Sequence, residues 1–173
     1  MFQRPALPLF HPATVIATWF GSGLVKWAPG TWGSLAALPF AGGIVWLGGS
    51  TGLWAASVLV FLAGLWASAR YVRAQDDDDP GSVVVDEVVG QWVAVLPLSP
   101  EPVTYLVAFL AFRFFDILKP WPIGWLDRRL KSPFGIMADD VVAGILAGAV
   151  AFAVAVWLLG YSLPWDQAEH AFR

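Results

Sequence analysis

The feature that most constrains this chain is an uncharged run of twenty residues, Val141–Gly160, which begins directly after two adjacent carboxylates, Asp139 and Asp140. A helix of about 20 apolar residues crosses a bilayer. On such a helix both acids stand above glycines and alanines at four-residue spacing, the surface by which membrane helices approach closely. Carboxylates are costly at membrane depth, so the pair predicts a divalent metal or a charged ligand. A single Asp there would instead suggest an acidic first helical turn.

Composition indicates a membrane protein. Of 173 residues, 58% are hydrophobic and 13% are charged, whereas soluble domains carry about 25% charged residues. Eleven tryptophans suit a protein with two bilayer interfaces. The absence of cysteine excludes disulfides and thiolate metal sites, and the net charge of −3 argues against a nucleic-acid partner. We predict one domain over residues 1–173, with an entry segment at 1–20 and a tail at 161–173.

The hydrophobic pattern predicts an all-α, polytopic membrane helical bundle with about five hydrophobic segments. The segments are Leu35–Gly49, Leu53–Ala69, Val83–Leu98, Val103–Leu118 and Val141–Gly160. The first two of them would form a helical hairpin. Basic residues concentrate at 70–85 and 119–138, whereas the turns at 48–52 and 97–102 have none. The positive-inside rule therefore predicts a cytoplasmic N-terminus. All the acids discussed next would then emerge on the cytoplasmic face.

Five acids form the candidate catalytic set, namely Asp86, Glu87, Asp116, Asp139 and Asp140. Hard oxygen donors without histidine or cysteine favour Mg²⁺ over Zn²⁺ or Cu²⁺. We predict that four of them, all except Asp116, are metal ligands. Asp116 is spaced three residues from both Arg113 and Lys119, so a structural ion pair at the helix end is the alternative interpretation.

A glycine-rich stretch, Gly21–Ser34, is the candidate phosphate cradle. Lys26, Thr31 and Ser34 would face an anion at the start of the next helix, although a flexible loop explains the composition equally well. The Gly-Lys-Ser/Thr ending of a Walker A motif is missing. Beyond this stretch, Arg113 and Lys119 are predicted to hold a phosphoryl oxygen. Asp79 and Asp127 are weaker site candidates, since the acidic run that contains Asp79 is typical of a solvated loop.

Five short motifs together resemble the phosphatidylglycerophosphatase A family. They are FGSG at 20–23, PGTWGS at 29–34, VDEVVG at 85–90, FRFFDILKPWPI at 112–123 and GIMADDVVAG at 135–144. The resemblance implies a Mg²⁺-dependent hydrolase of the bacterial inner membrane that faces the cytoplasm. It would convert phosphatidylglycerophosphate to phosphatidylglycerol and phosphate in phospholipid biosynthesis. Soluble relatives in the family have an all-helical fold. The family's motif acids correspond to the five-acid set.

Several questions stay open at the level of sequence. Attack by water and an aspartyl-phosphate intermediate on Asp86 or Asp139 both fit the residues. Phosphatidic acid or an isoprenoid phosphate would fit as substrate equally well. An ion-coupled transporter or channel is the alternative function, because intramembrane acids beside glycines also occur there, and a non-catalytic scaffold is a third. The number of metal ions and the oligomeric state are also undetermined.

Overall fold

The computed structural model describes residues 2–75, 81–130, 132–158 and 160. Asp79 and the predicted tail at 161–173 lie outside these residues. In the described residues all regular elements are helices, which confirms the all-α part of the predicted fold. In chain order the elements are α1 (Pro12–Ala17), a 3-10 helix (Ser22–Leu24), α2 (Pro29–Gln75), α3 (Val85–Val95), α4 (Pro102–Leu118), α5 (Ile123–Arg129) and α6 (Pro133–Trp157).

Helix α2 reverses direction at Gly49, whose φ of 63° and ψ of −168° interrupt the helix. A Cβ built on Gly33 would lie 2.7 Å from the Cβ of Val84, and one built on Gly64 would lie 3.2 Å from Val85 Cγ2. Val84 and Val85 are adjacent residues, so the two glycines lie close together, whereas a straight helix would hold Gly33 and Gly64 roughly 46 Å apart. The two halves of α2 therefore fold back on each other, as the sequence predicts, and Gly49 adopts the turn conformation without the strain of a side chain.

Two helices in the described part of the chain are long and apolar enough to cross a membrane, Pro29–Ala74 and Pro133–Trp157. They cover the first two and the last of the predicted segments, so fewer than the five predicted segments are supported. Helix α3 has 11 residues and is only about 16 Å long, and almost all of them are buried. Its apolar sequence therefore reflects contact with neighbouring helices, a pattern that sequence alone does not distinguish from contact with lipid.

Helix α3 is the centre of the bundle and contacts α2, α4 and α6. The indole N–H of Trp92 donates to the carbonyl of Ala37 in α2 at 2.9 Å. On the opposite side α3 meets α6 backbone to backbone. A Cβ on Gly144 would collide with the carbonyl oxygen of Gly90, and a Cβ on Gly90 would lie 2.6 Å from the carbonyl oxygen of Asp140. Small residues thus bring the acidic ends of these two helices together.

The outer face of α4 is a continuous apolar stripe. Its members recur at three- and four-residue spacing and are each more than half exposed, and they are Val103, Leu106, Leu110, Phe114 and Ile117. A contiguous exposed apolar surface of this kind is typical of a membrane or protein contact. Together with the two long apolar helices it indicates that the protein associates with a membrane.

Candidate active site

A cavity of about 490 Å³ lies where α2, α3 and α6 begin and where α4 and α5 end. The charged side chains in its wall come from four helices and the residue that caps α4, and they are Asp86, Glu87, Asp116, Lys119, Asp127, Asp139 and Asp140. All five acids of the predicted catalytic set are among them. The fold therefore brings into one cavity residues that are up to 54 positions apart in sequence.

Three carboxylates form the tightest group in this cavity. One oxygen from each of Asp86, Glu87 and Asp140 lies within 4.8 Å of the other two. Among the described residues neither aspartate forms an ion pair, and the buried Oε2 of Glu87 has no hydrogen-bond partner. Buried carboxylates in such proximity are neutralised either by protonation or by a compensating cation. An all-oxygen donor set of this kind suits Mg²⁺ or Ca²⁺.

Arg113 connects three elements behind this group. Its Nη1 lies 2.6 Å from Oδ2 of Asp116 and 3.9 Å from Oε1 of Glu87, and it donates to Oγ of Ser34 at 3.3 Å. The Ser34 hydroxyl in turn donates to the carbonyl of Gly30 at 2.8 Å. Arg113 does not line the cavity. The structure therefore shows it as an anchor for two site acids, and its contact with a phosphoryl group stays a prediction.

Lys119 lies in the cavity wall between two acids. Its Nζ lies 2.7 Å from Oδ2 of Asp139 and 2.5 Å from Oδ1 of Asp127. Burial alone would lower the pKa of the Lys119 ammonium, but the hydrogen bonds and charges of the two aspartates outweigh burial and raise that pKa above its ordinary value. Lys119 is therefore a fixed positive charge at physiological pH.

Asp139 differs from the other predicted metal ligands because it pairs with Lys119. It is not a member of the three-carboxylate group, and its Oδ1 is buried without a hydrogen-bond partner in the described chain. Asp127, a weaker candidate in the sequence, is placed at the site by α5 through the same lysine. The structure thus separates the three-carboxylate group, of which only Glu87 approaches a cation among the described residues, from two acids that are arranged around Lys119.

The glycine-rich stretch reaches the cavity through its backbone. Pro29 and Gly30, at the start of α2, line the wall, and a Cβ on Gly30 would collide with the Glu87 carboxylate. The predicted side chains lie elsewhere: Lys26 is exposed, Thr31 is half-buried, and neither lines the cavity. Their phosphate-binding roles stay predictions, without support from cavity geometry.

Ser132 lines the cavity but lies outside the set that the sequence predicts. It is the N-cap of α6, where its hydroxyl oxygen accepts from the N–H of Gly135 at 3.2 Å. The sequence feature that could have identified Ser132 is its position directly before Pro133, since Ser at the N-cap and Pro at the first helical position mark a helix start.

A model of the phosphatidylglycerophosphatase A family matches residues 15–155. The chain belongs to the phosphatidylglycerophosphatase A family. The resemblance that the five motifs indicate is therefore confirmed. The name describes a phosphatase, which is a hydrolase, so membership supports an enzyme rather than the transporter alternative.

Three relatives match along nearly their whole length. Phosphatidylglycerophosphatase A of Haemophilus influenzae is 42% identical over 156 residues, which cover 88% of this chain and 94% of that protein. The protein of the same name in Escherichia coli is 38% identical, with 91% and 92% covered. A Bacteroides thetaiotaomicron relative, 38% identical with 88% and 98% covered, carries the provisional name phosphatidylinositol-3-phosphatase. No solved structure gives a significant match.

Proposed function

We propose that this protein hydrolyses the terminal phosphomonoester of phosphatidylglycerophosphate to phosphatidylglycerol and phosphate, a step of phospholipid biosynthesis. The observation that carries the proposal is the group formed by Asp86, Glu87 and Asp140, whose oxygens converge within 4.8 Å in a chain of this family. Two relatives are named for this activity. The apolar helices adjoining the cavity suit a substrate with hydrocarbon chains.

Mg²⁺ is the proposed cofactor, held by Asp86, Glu87 and Asp140. The fit rests on their shared space, their all-oxygen chemistry and the unpartnered Oε2 of Glu87. Asp139 stays in the proposed ligand set through its unpartnered Oδ1. When bound, the ion would neutralise phosphoryl oxygens and lower the pKa of a bound water.

The protein's own cations have separate tasks in this proposal. Lys119 presents a permanent positive charge to the phosphoryl group from the cavity wall, where Asp139 and Asp127 hold it in place. Arg113 keeps Asp116 and Glu87 in position from behind the wall. Preorganised charge of this kind stabilises negative charge that develops in the transition state.

Direct attack by water is the proposed route. The water oxygen bonds to phosphorus and the bond from phosphorus to the glycerol oxygen breaks. Of the two protons of the water, one ends on the glycerol oxygen and the other stays on the released phosphate. Asp86 and Asp139 are the candidate nucleophiles of the competing route through an aspartyl-phosphate. Rapid quenching during turnover of radiolabelled lipid distinguishes the two, because only the second route leaves radioactive phosphate on the protein.

We further propose that the protein lies in the bacterial inner membrane with the cavity facing the cytoplasm. Support comes from basic residues near the same end of the bundle, including Arg128 and Arg129 in the last turn of α5. Because the chain lacks cysteine, an Arg128→Cys variant carries a single thiol. We expect a membrane-impermeant maleimide to label it only after the cells are opened, and labelling in intact spheroplasts would contradict this orientation.

The decisive experiment measures phosphate release from lipid phosphomonoesters in detergent, with Mg²⁺ or with EDTA. We expect Mg²⁺-dependent release that Asp86→Asn abolishes while the fold is retained, and that Glu101→Gln, an exposed acid before α4, leaves unchanged. Phosphatidic acid and phosphatidylinositol 3-phosphate serve as competing substrates. A preference for either would overturn the headgroup assignment, and no metal-dependent release from any of the three would overturn the enzymatic proposal.

A further inference from the structure

An apolar groove of about 450 Å³ opens on the side of the bundle between the second half of α2, α3 and α6. Val58, Phe61, Val93 and Ile145 are among its walls. Its polar lining groups are the hydroxyl of Ser57, which donates to the carbonyl of Leu53 at 2.8 Å, and the indole N–H of the exposed Trp54. The rest of the lining is aliphatic or aromatic and suits a hydrocarbon.

This groove begins next to the carboxylates. Val89 follows Asp86 by three residues in α3, and Val141 follows Asp140 directly in α6, so both groove residues lie within about 5 Å of the acids along the helix axes. Met137, one turn before Val141, is fully buried and packs in the same apolar cluster as Val89, Phe61 and Val141. The same two helices that supply the acids therefore continue as the groove.

We infer that the groove receives an acyl chain of the lipid whose phosphate is bound in the cavity. The inference rests on the proposed function, because the occupant is that substrate. Lipid tails are as apolar as the groove, so transfer between them gives no hydrophobic gain. The benefit is orientation: a chain lying against α3 and α6 holds the headgroup in register with Asp86 and Asp140, and alignment of this kind lowers a reaction barrier.

A second apolar groove, of about 500 Å³, serves as the internal comparison. It lies between the first half of α2 and α4, and Leu106 is in its wall. It begins at Leu35, five residues beyond Gly30, and it also contains Glu101 and the buried Tyr105. Because the second groove is farther from the carboxylates and carries polar groups, it is the poorer site for the acyl chain.

The test compares the kcat/KM for dioleoyl and dihexanoyl phosphatidylglycerophosphate in the same Mg²⁺-containing mixed micelles. Ile145→Trp fills the first groove, and Leu106→Trp fills the second from a residue of matched exposure, 56% against 54%. We expect Ile145→Trp to lower the ratio of dioleoyl to dihexanoyl kcat/KM about tenfold, with turnover of the dihexanoyl lipid retained. Leu106→Trp should leave the ratio unchanged.

An unchanged ratio in Ile145→Trp, or an equal fall in Leu106→Trp, would overturn the inference while leaving the phosphatase activity in place. If Ile145→Trp does not fold, Val58→Phe fills the same groove from the opposite wall and is judged by the same ratio. Hydrolysis of neither lipid by the wild-type protein would instead overturn the proposed function and, with it, this inference.

Discussion

Gly144 gives the sharpest test of how the two acidic helices are held together. A Cβ at this position would collide with the carbonyl oxygen of Gly90 and lie only 3.0 and 3.1 Å from its carbonyl carbon and Cα. Nonbonded carbon atoms prefer separations of about 3.5–4.0 Å. Gly144→Ala therefore requires α3 and α6 to separate by roughly 1 Å, which moves Asp140 away from Asp86 and Glu87.

Two opposing terms set the effect on stability. Overpacking costs about 1–3 kcal/mol, whereas replacing a helical glycine by alanine gains about 1 kcal/mol. Gly144→Ala should therefore lower the free energy of unfolding by only about 0–2 kcal/mol. Activity is more sensitive, because a misplacement of about 1 Å costs on the order of a hundredfold in rate. We expect Gly144→Ala to stay folded and to lose most of its turnover.

The assay is phosphate release from phosphatidylglycerophosphate as a function of Mg²⁺ concentration, together with thermal unfolding in the same detergent. Gly43→Ala is the matched control, since a Cβ there meets nothing within 4 Å, and it should keep full activity and gain stability. If Gly144→Ala kept wild-type turnover and the wild-type Mg²⁺ response, close contact between α3 and α6 would not be what assembles the carboxylates.

Three further predictions concern charge. Asp139→Asn should abolish turnover with the fold retained, because it weakens the hold on Lys119 and removes a proposed ligand; near-normal activity would remove Asp139 from the mechanism. Asp127→Asn should raise the KM more than it lowers kcat, since only one of the two acids that hold Lys119 is lost, and steady-state kinetics checks this. The pKa of Lys119 is higher in the folded protein than its ordinary value of 10.5. The stabilisation by the Lys119 charge is therefore fully present below pH 10.5, and it is lost only as the pH rises through the higher pKa of the folded state. The difference in unfolding midpoint between wild type and Lys119→Met should therefore be constant between about pH 7 and 9, and a difference that shrinks over this range would contradict the assignment.

The sequence was sufficient to select the acids that share the cavity. The five acids of the predicted catalytic set are buried or half-buried in its wall, because apolar helices contain carboxylates only where a function or a partner compensates their cost. It was also sufficient for the reversal of α2, since a cluster of glycines between two apolar runs marks a turn. Both conclusions depend on local pattern, which a single sequence displays directly.

The number of membrane-length helices and the pairing of the charges depended on tertiary structure. An apolar run does not reveal whether its neighbours are lipid or protein, so α3 resembles a span although it is a short core helix. Likewise, spacing places Asp139 beside Asp140, but whether each faces a metal or an ammonium depends on where α4 and α5 bring Lys119 and Asp127. Those contacts join distant parts of the chain, and only the packing of α3 against α6 through glycine decides which carboxylates share a space.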